Sequence, residues 1–436
     1  MRLRRQHKMF CVAVKNNDRK GFCRKTSRNN LRKKTVDESA FLLMIFVLCV
    51  SITVNKLKIL VDNNMKFTIE RASLLKTLSH MQSIVEKRNT IPVLSNVRIE
   101  ALESEISFKA TDMDTEITEI AEATVSETGA TTAPAHMLYD IVRKLSDGSD
   151  VEITFPDEKG QLTIASGRSK FSLSTIGVED FPVISGDALP ISFMMEKEEL
   201  KDVIDRTKFA VSTEETRYYL NGVYMHAKKE GEAKVLRVVA TDGHRLACVE
   251  SPLPQGAENL AGVIIPRKTV TEVRKLLDDN GADNITVSMS ENKVRFAFND
   301  VTLTSKLIDG TYPDYERVIP TDNDKNLELG VKDLASAVDR VSVVAERTRA
   351  IKMITGSSKI TIATSSPDLG SASEEVEAKY EGDSIEIGYN FRYLLDILNE
   401  IKGDSVRVSF TDGTSPSVIH DTSDSSAIYV LMPMRV

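Results

Sequence analysis

A chain that repeats a domain-sized pattern can fold only into copies of one unit joined in a row. Here the pattern recurs three times from residue 65 onward, at intervals of about 125 residues. Each copy opens with an extended segment that runs into an amphipathic helix: "FTIERASLLKTLSHM" from Phe67, "FMMEKEELKDVIDRT" from Phe193 and "LGVKDLASAVDRVSV" from Leu329. The stripe positions are Leu74, Leu78, Met81 and Val85, then Leu200, Ile204, Thr207 and Val211, then Leu334, Val338, Val341 and Ala345. Spacings of three and four give each helix one buried face.

Two further landmarks follow in the same order. "KATDMDTEI", "VATDGHRLA" and "IATSSPDLG" align Ala110–Thr111, Ala240–Thr241 and Ala363–Thr364. A second helix is opened by Pro134, Pro266 or Asn390, residues suited to a first turn or a cap. Its stripe is Leu138, Ile141, Leu145, then Val270, Val273, Leu277, then Leu394, Ile397, Ile401. Alternating strands such as "VEITF", "NITVSM" and "SVRVSF" close each copy. The reading is an α+β chain of three similar domains, 65–183, 192–318 and 327–436. The spacing predicts helices at 71–88, 135–147, 197–214, 267–279, 332–349 and 390–402.

Charge divides the chain. Residues 1–64 hold 15 Lys/Arg against 4 Asp/Glu and contain the apolar run "AFLLMIFVLCVSITV". That run is short beside the roughly 20 apolar residues of a membrane-spanning helix. Residues 1–64 therefore read as a non-homologous extension, either a mis-assigned start ahead of Met65 or a disordered or apolar segment. Residues 65–436 hold 42 Lys/Arg against 60 Asp/Glu, yet the six expected helices hold 20 against 16. Positive charge gathers on the helices while strands and loops are acidic, which suits helices facing a polyanion. Beyond residue 64 the only cysteine is Cys248, in keeping with a reducing, cytoplasmic compartment.

The segment "ATDGHRLACVE" sets Asp242, His244 and Cys248 close together. A hydrolase using Asp242 and His244 is one alternative, and a generic repeat scaffold is another. Against catalysis, Thr241–Asp242 repeats Thr111–Asp112, and the six histidines are scattered without ligand spacing. No phosphate-binding G-x-x-x-x-G-K-[ST] loop occurs. The expectation is no catalytic residue, no cofactor and no metal.

The ordered set "MKFTIE" (from Met65), "RYYLNG" (Arg217), "ATDGHRLA" (Ala240), "IPRK" (Ile265), "TSKLIDGTYPDYERVIP" (Thr304) and "MPMRV" (Met432) closely resembles the bacterial DNA sliding clamps, the beta subunits of DNA polymerase III. The resemblance covers residues 65–436 and none of 1–64. It implies three DNA-clamp domains, each with two helices on antiparallel sheets, in a ring-shaped head-to-tail homodimer around duplex DNA held without sequence specificity. It implies a processivity factor, not an enzyme. The implied partners are DNA, a second copy, the polymerase III catalytic subunit, an ATP-dependent clamp loader, and other polymerases and repair proteins with clamp-binding peptides. The implied peptide pocket is Leu220, Thr241, Gly243, His244, Arg245, Leu246, Pro313, Arg317, Val318, Asn390, Tyr393, Val430, Met432, Pro433, Met434 and Arg435. The implied DNA contacts are Arg88, Arg217, Tyr218, Tyr219, Arg267 and Lys268. The implied dimer contacts are Phe171 and Leu173 against Val343 and Val344.

Overall fold

The computed structural model describes residues 64–436, apart from 157–159, 185, 187, 231–232 and 346–348. The expectation for the N-terminal extension thus lies outside the described residues, except for Asn64. Repeat one runs β1 (Met65–Glu70), α1 (Arg71–Ile84), β2 (Asn96–Ala101), β3 (Glu105–Thr111), β4 (Thr115–Glu122), β5 (Thr124–Glu127), β6 (Gly129–Pro134), α2 (Ala135–Lys144), β7 (Asp150–Phe155), β8 (Gln161–Ser166) and β9 (Ser169–Ser174). Repeat two runs β10 (Ile191–Glu196), α3 (Lys197–Lys208), β11 (Gly222–Glu230), β12 (Ala233–Thr241), β13 (Arg245–Pro252), β14 (Val263–Pro266), α4 (Arg267–Asp279), β15 (Asn284–Met289), β16 (Lys293–Ala297) and β17 (Val301–Lys306). Repeat three runs β18 (Lys325–Gly330), α5 (Val331–Ser342), β19 (Ala350–Thr355), β20 (Lys359–Ser366), β21 (Gly370–Tyr380), β22 (Glu386–Asn390), α6 (Phe391–Leu398), β23 (Ser405–Phe410), β24 (Ser417–Asp421) and β25 (Ala427–Leu431).

Every repeat is therefore the same strand–helix–three-strand half used twice, with β5 of repeat one an added strand that pairs with β1. The halves are interlocked, because the first strand of each half pairs in the sheet of the other: β1 with β7 and β6 with β2, then β10 with β15 and β14 with β11, then β18 with β23 and β22 with β19. The helix starts are locked the same way. Arg71, Lys197 and Val331 donate their N–H groups to the carbonyls of Ser149, Asp283 and Asp404, each just before the first post-helix strand of the other half. This satisfies an orphan donor of each helix without a side-chain cap.

Repeats join by one recurring rule. The last strand of a first half pairs with the last strand of the next repeat's second half: β4 with β17, and β13 with β25. These joints fuse the strands into sheets of eight and twelve, leaving a sheet of five that ends on β9. All pairings are antiparallel, and one apolar core runs through the three repeats. The strands alternate as a half-buried sheet requires, with Met65, Phe67 and Ile69 of β1 inward.

Two expectations need correction. Five of the six helices stop short of their expected ends, α1 at Ile84 and α5 at Ser342, because the flanking residues turn extended or form a short 3-10 turn. The six observed helices hold 15 Lys/Arg against 11 Asp/Glu, so the local positive excess survives. The third Ala–Thr landmark is out of phase: Ala110 and Ala240 are core residues, but Ala363 is not, and Ile360 and Ile362 point inward instead. A one-residue offset in a strand reverses every side chain. Among the described residues no helix is long and apolar enough to cross a membrane.

Candidate functional site

The turn between β12 and β13 is held by its own polar side chains. Thr241 Oγ1 donates to the Arg245 carbonyl at 2.6 Å and accepts from Gly243 N–H at 3.1 Å. Asp242 Oδ1 accepts from the His244 and Arg245 N–H groups at 2.8 and 3.0 Å, and Oδ2 accepts from Arg245 Nε at 3.1 Å. Repeat one builds the same turn. Thr111 bonds the Thr115 carbonyl and Met113 N–H, and Asp112 Oδ1 takes the Asp114 and Thr115 N–H groups. Asp242 is thus a turn former and does not orient His244, so the hydrolase alternative has no dyad. Burial pushes the Cys248 thiol up to about 12, which removes it as a nucleophile. Among the described residues no cluster of His, Cys, Asp and Glu could hold a metal.

The third position of this turn is left-handed in both copies, with φ +86° at Gly243 and +80° at Met113. A Cβ on Gly243 would also lie 2.6 Å from Arg217 Nη1. Gly243→Val is expected to lower stability by about 1–2 kcal/mol. Met113→Gly is expected to be neutral or slightly stabilising, because it relieves a non-glycine residue of a left-handed backbone. Thermal melts of the two variants check this, and a silent Gly243→Val would refute the left-handed constraint at this position.

Around this turn the structure gathers most of the expected pocket. Leu246 pairs with Val430 across β13 and β25. Met432 N–H donates to the His244 carbonyl and Met434 N–H to the Gly388 carbonyl, both at 2.9 Å. These bonds bind the C-terminal segment to the turn and to β22, the strand that leads into α6. The His244 and Tyr393 rings stack with centroids 6.2 Å apart. Asn390 caps α6, its side chain accepting from Arg392 N–H. Leu220, Leu246 and Val430 belong to a second apolar cluster, separate from the main core. Met432 and Val318 remain exposed above it, and Arg317 on the rim pairs with Asp314 at 2.7 Å. Pro313, Pro433 and Arg435 complete the accessible edge.

Sequence reading missed the rest of this cluster: Val239, Cys248, Ile264, Tyr312 and Tyr315 complete it. Tyr224 stacks on Tyr312 at 4.7 Å beside it. The available signal was the apolar runs Val238–Ala240 of β12 and Leu246–Val249 of β13, which are buried on both faces and so cover two cores. Arg217, expected on DNA, lies against Gly243 and pairs with Glu214 at 2.8 Å. Tyr218 is exposed and meets Tyr219 edge-on. Arg88 and Arg267 are exposed. Lys268 is half-buried, its ammonium engaged by Asp112 and the Ile84 carbonyl. Phe171 and Val343 are exposed, Leu173 and Val344 partly so. Within one chain these four belong to separate surfaces, Phe171 and Leu173 on the β9 edge and Val343 and Val344 just after α5.

Three family models match in sequence order. They are the DNA polymerase III beta subunit N-terminal domain at residues 65–185, central domain at 194–314 and C-terminal domain at 316–435. The chain is 49% identical over 373 residues to the beta sliding clamp of Caulobacter vibrioides, covering 85% of this chain and 100% of that one. It is 37% identical over 375 residues to the beta sliding clamp of Escherichia coli K12, with the same coverage. Among solved structures, the Caulobacter crescentus beta sliding clamp with bound polyethylene glycol superposes with a TM-score of 0.84 at 49% identity, over 86% of this chain and 100% of that one. The Bartonella birtlesii sliding clamp bound to griselimycin superposes with a TM-score of 0.83 at 42% identity, with equal coverage.

Proposed function

Since the chain belongs to the DNA polymerase III beta subunit family, the bacterial sliding clamps, we propose that two copies close head to tail through β21 of one and β9 of the other. The chain acts as a sliding clamp on DNA, conferring processivity on a polymerase without catalysis of its own. The observation that carries the closure is the joining rule. The first half of repeat three and the second half of repeat one are the two halves whose last strands meet no other repeat among the described residues: β9 pairs with β8 alone, and β21 meets β18 at Ala378–Tyr380 but leaves Gly370–Glu377 paired with β20 alone. They are the complementary kinds, so a second copy completes the series and closes the ring.

The register follows from the joints already made. Glu119 lies opposite Val301, and Val249 opposite Ala427. In the same place on β21 stands Glu374, which pairs with Arg340 as Glu119 pairs with His80. Continuing the ladder sets Ser169 of the second copy opposite Glu374, Phe171 opposite Ala372 and Leu173 opposite Gly370. Phe171 and Leu173 then approach the Val343–Val344 segment. Side-chain exposure supports this: the α1 and α3 positions equivalent to Arg340 are His80 and Arg206, 6% and 4% exposed at closed junctions, whereas Arg340 is 61% exposed. Light scattering at micromolar concentration is expected to give twice the chain mass, and a monomer would refute the closure.

The modest positive excess on the helices favours a loose hold on duplex DNA, with Arg88, Arg217, Tyr218, Tyr219, Arg267 and Lys268 as its nearest contacts. Tight phosphate contacts would stop sliding. Opening the ring falls to an ATP-dependent loader, and the setting is the cytoplasm. The pocket around Leu246, His244, Tyr393 and Met432 takes short peptides from the polymerase III catalytic subunit, the loader, and other polymerases and repair proteins. Adaptable methionines and an apolar floor suit several such peptides. The same pocket is expected to take griselimycin, as the relative from B. birtlesii binds it.

A further inference from the structure

The two closed junctions place a cation at equivalent points but draw it from different elements. At the first, Lys268 Nζ, from α4 of the following repeat, holds Asp112 Oδ2 and the Ile84 carbonyl at the end of α1. At the second, Arg245 holds Asp242 Oδ2 and the Phe209 carbonyl at the end of α3. Arg245 comes from the same hairpin as Asp242 and also reaches Asp396 on α6. The matched turns place Thr115 where repeat two has Arg245. The matched helix starts place Arg392 where α4 has Lys268, and Arg392 is exposed. The junction cation has moved from the following helix to the preceding strand.

The move has a consequence for shape. The Arg245 guanidinium lies between two rings, 4.3 Å from the Tyr393 centroid and 5.1 Å from that of Phe209. Tyr393 in turn stacks on His244. A planar cation can donate to three acceptors while stacking on aromatic faces, which a lysine ammonium cannot. Its place at a helix C-terminus favours the positive charge.

We infer that Arg245 is a positioning residue of the peptide pocket and not one of its contact surfaces. It takes over the junction contact that a lysine on α6 would otherwise make. This fixes Tyr393 and His244 as one wall. The first junction, with Lys268 across the equivalent place, is a closed copy of the same architecture. This inference rests on the pocket proposed above.

The probe is griselimycin, titrated calorimetrically against the full chain. Arg245→Lys is expected to fold and dimerise normally yet bind about 10-fold more weakly, having lost the stacked fork. Arg245→Thr should lower the thermal midpoint. Arg245→Thr combined with Arg392→Lys transplants the first junction's arrangement into the second. The double variant should regain most of the midpoint while binding stays about 30-fold or more below the unaltered chain. Recovery of both midpoint and binding would reduce Arg245 to a structural tie and overturn the inference, as would unchanged binding by Arg245→Lys. Failure to recover the midpoint would overturn the equivalence of the two cations. No binding by the unaltered chain would overturn the pocket itself, and the inference with it.

Discussion

Loaded onto nicked circular DNA, the protein is expected to stay through high-salt washes, and one restriction cut should release it. The reason is topological. A held phosphate backbone gives an affinity that collapses with salt, since each neutralised phosphate adds nearly one power of salt dependence. A closed ring loses nothing to screening, because leaving a circle requires a strand or an interface to break. The weak positive excess of the helices supplies too little attraction to hold linear DNA at such salt. Retention on circular and linear DNA is expected to differ by at least about 100-fold in half-life at salt where ionic binding is lost. The measurement is gel filtration of labelled protein after loading, before and after cutting. Equal loss from both forms would leave an ordinary weak DNA binder.

The second large effect is expected at the free edge. Phe171→Asp with Leu173→Asp places two carboxylates where β9 meets the second copy. Burying each against an apolar surface costs about 2 kcal/mol or more. Together they should weaken self-association about a thousandfold or more. The single chain should barely notice, because Phe171 is already exposed and β9 is an outer strand. Sedimentation should report a monomer whose thermal midpoint, measured at dilutions where the parent also dissociates, lies within a few degrees of the parent. The same variant should lose its preference for circular DNA. A dimer that survives both changes would place the interface elsewhere and refute the β9–β21 register.

The repeat was legible because its signals are local. Stripe spacing and helix openers recur within a dozen residues, and the TDGHRL turn is written by the threonine and aspartate at its own start. The resemblance drew the proposed pocket from several separate segments, which folding brings around the TDGHRL turn. What escaped sequence reading depends on contacts far apart in the chain. Arg245 meets Asp396 across 151 positions, and Lys268 meets Asp112 across 156. A charged residue at the start of a helix reads as free surface until its distant partner is seen, as the pairing of Lys268 with Asp112 shows. Arg217 likewise comes to lie over Gly243 only when the chain folds. The Ala363 landmark failed because residue identity does not report strand phase.

Read alone, the sequence settled the number of units, their two helices apiece and the family. Each of these follows from short-range pattern or from motif order. Folding in three dimensions decided how the halves interlock, which side chain supplies each junction cation, where the second apolar cluster lies and which strand edges stay open. Those outcomes depend on pairing between strands far apart in the chain. No periodicity within one segment encodes the partner it will meet.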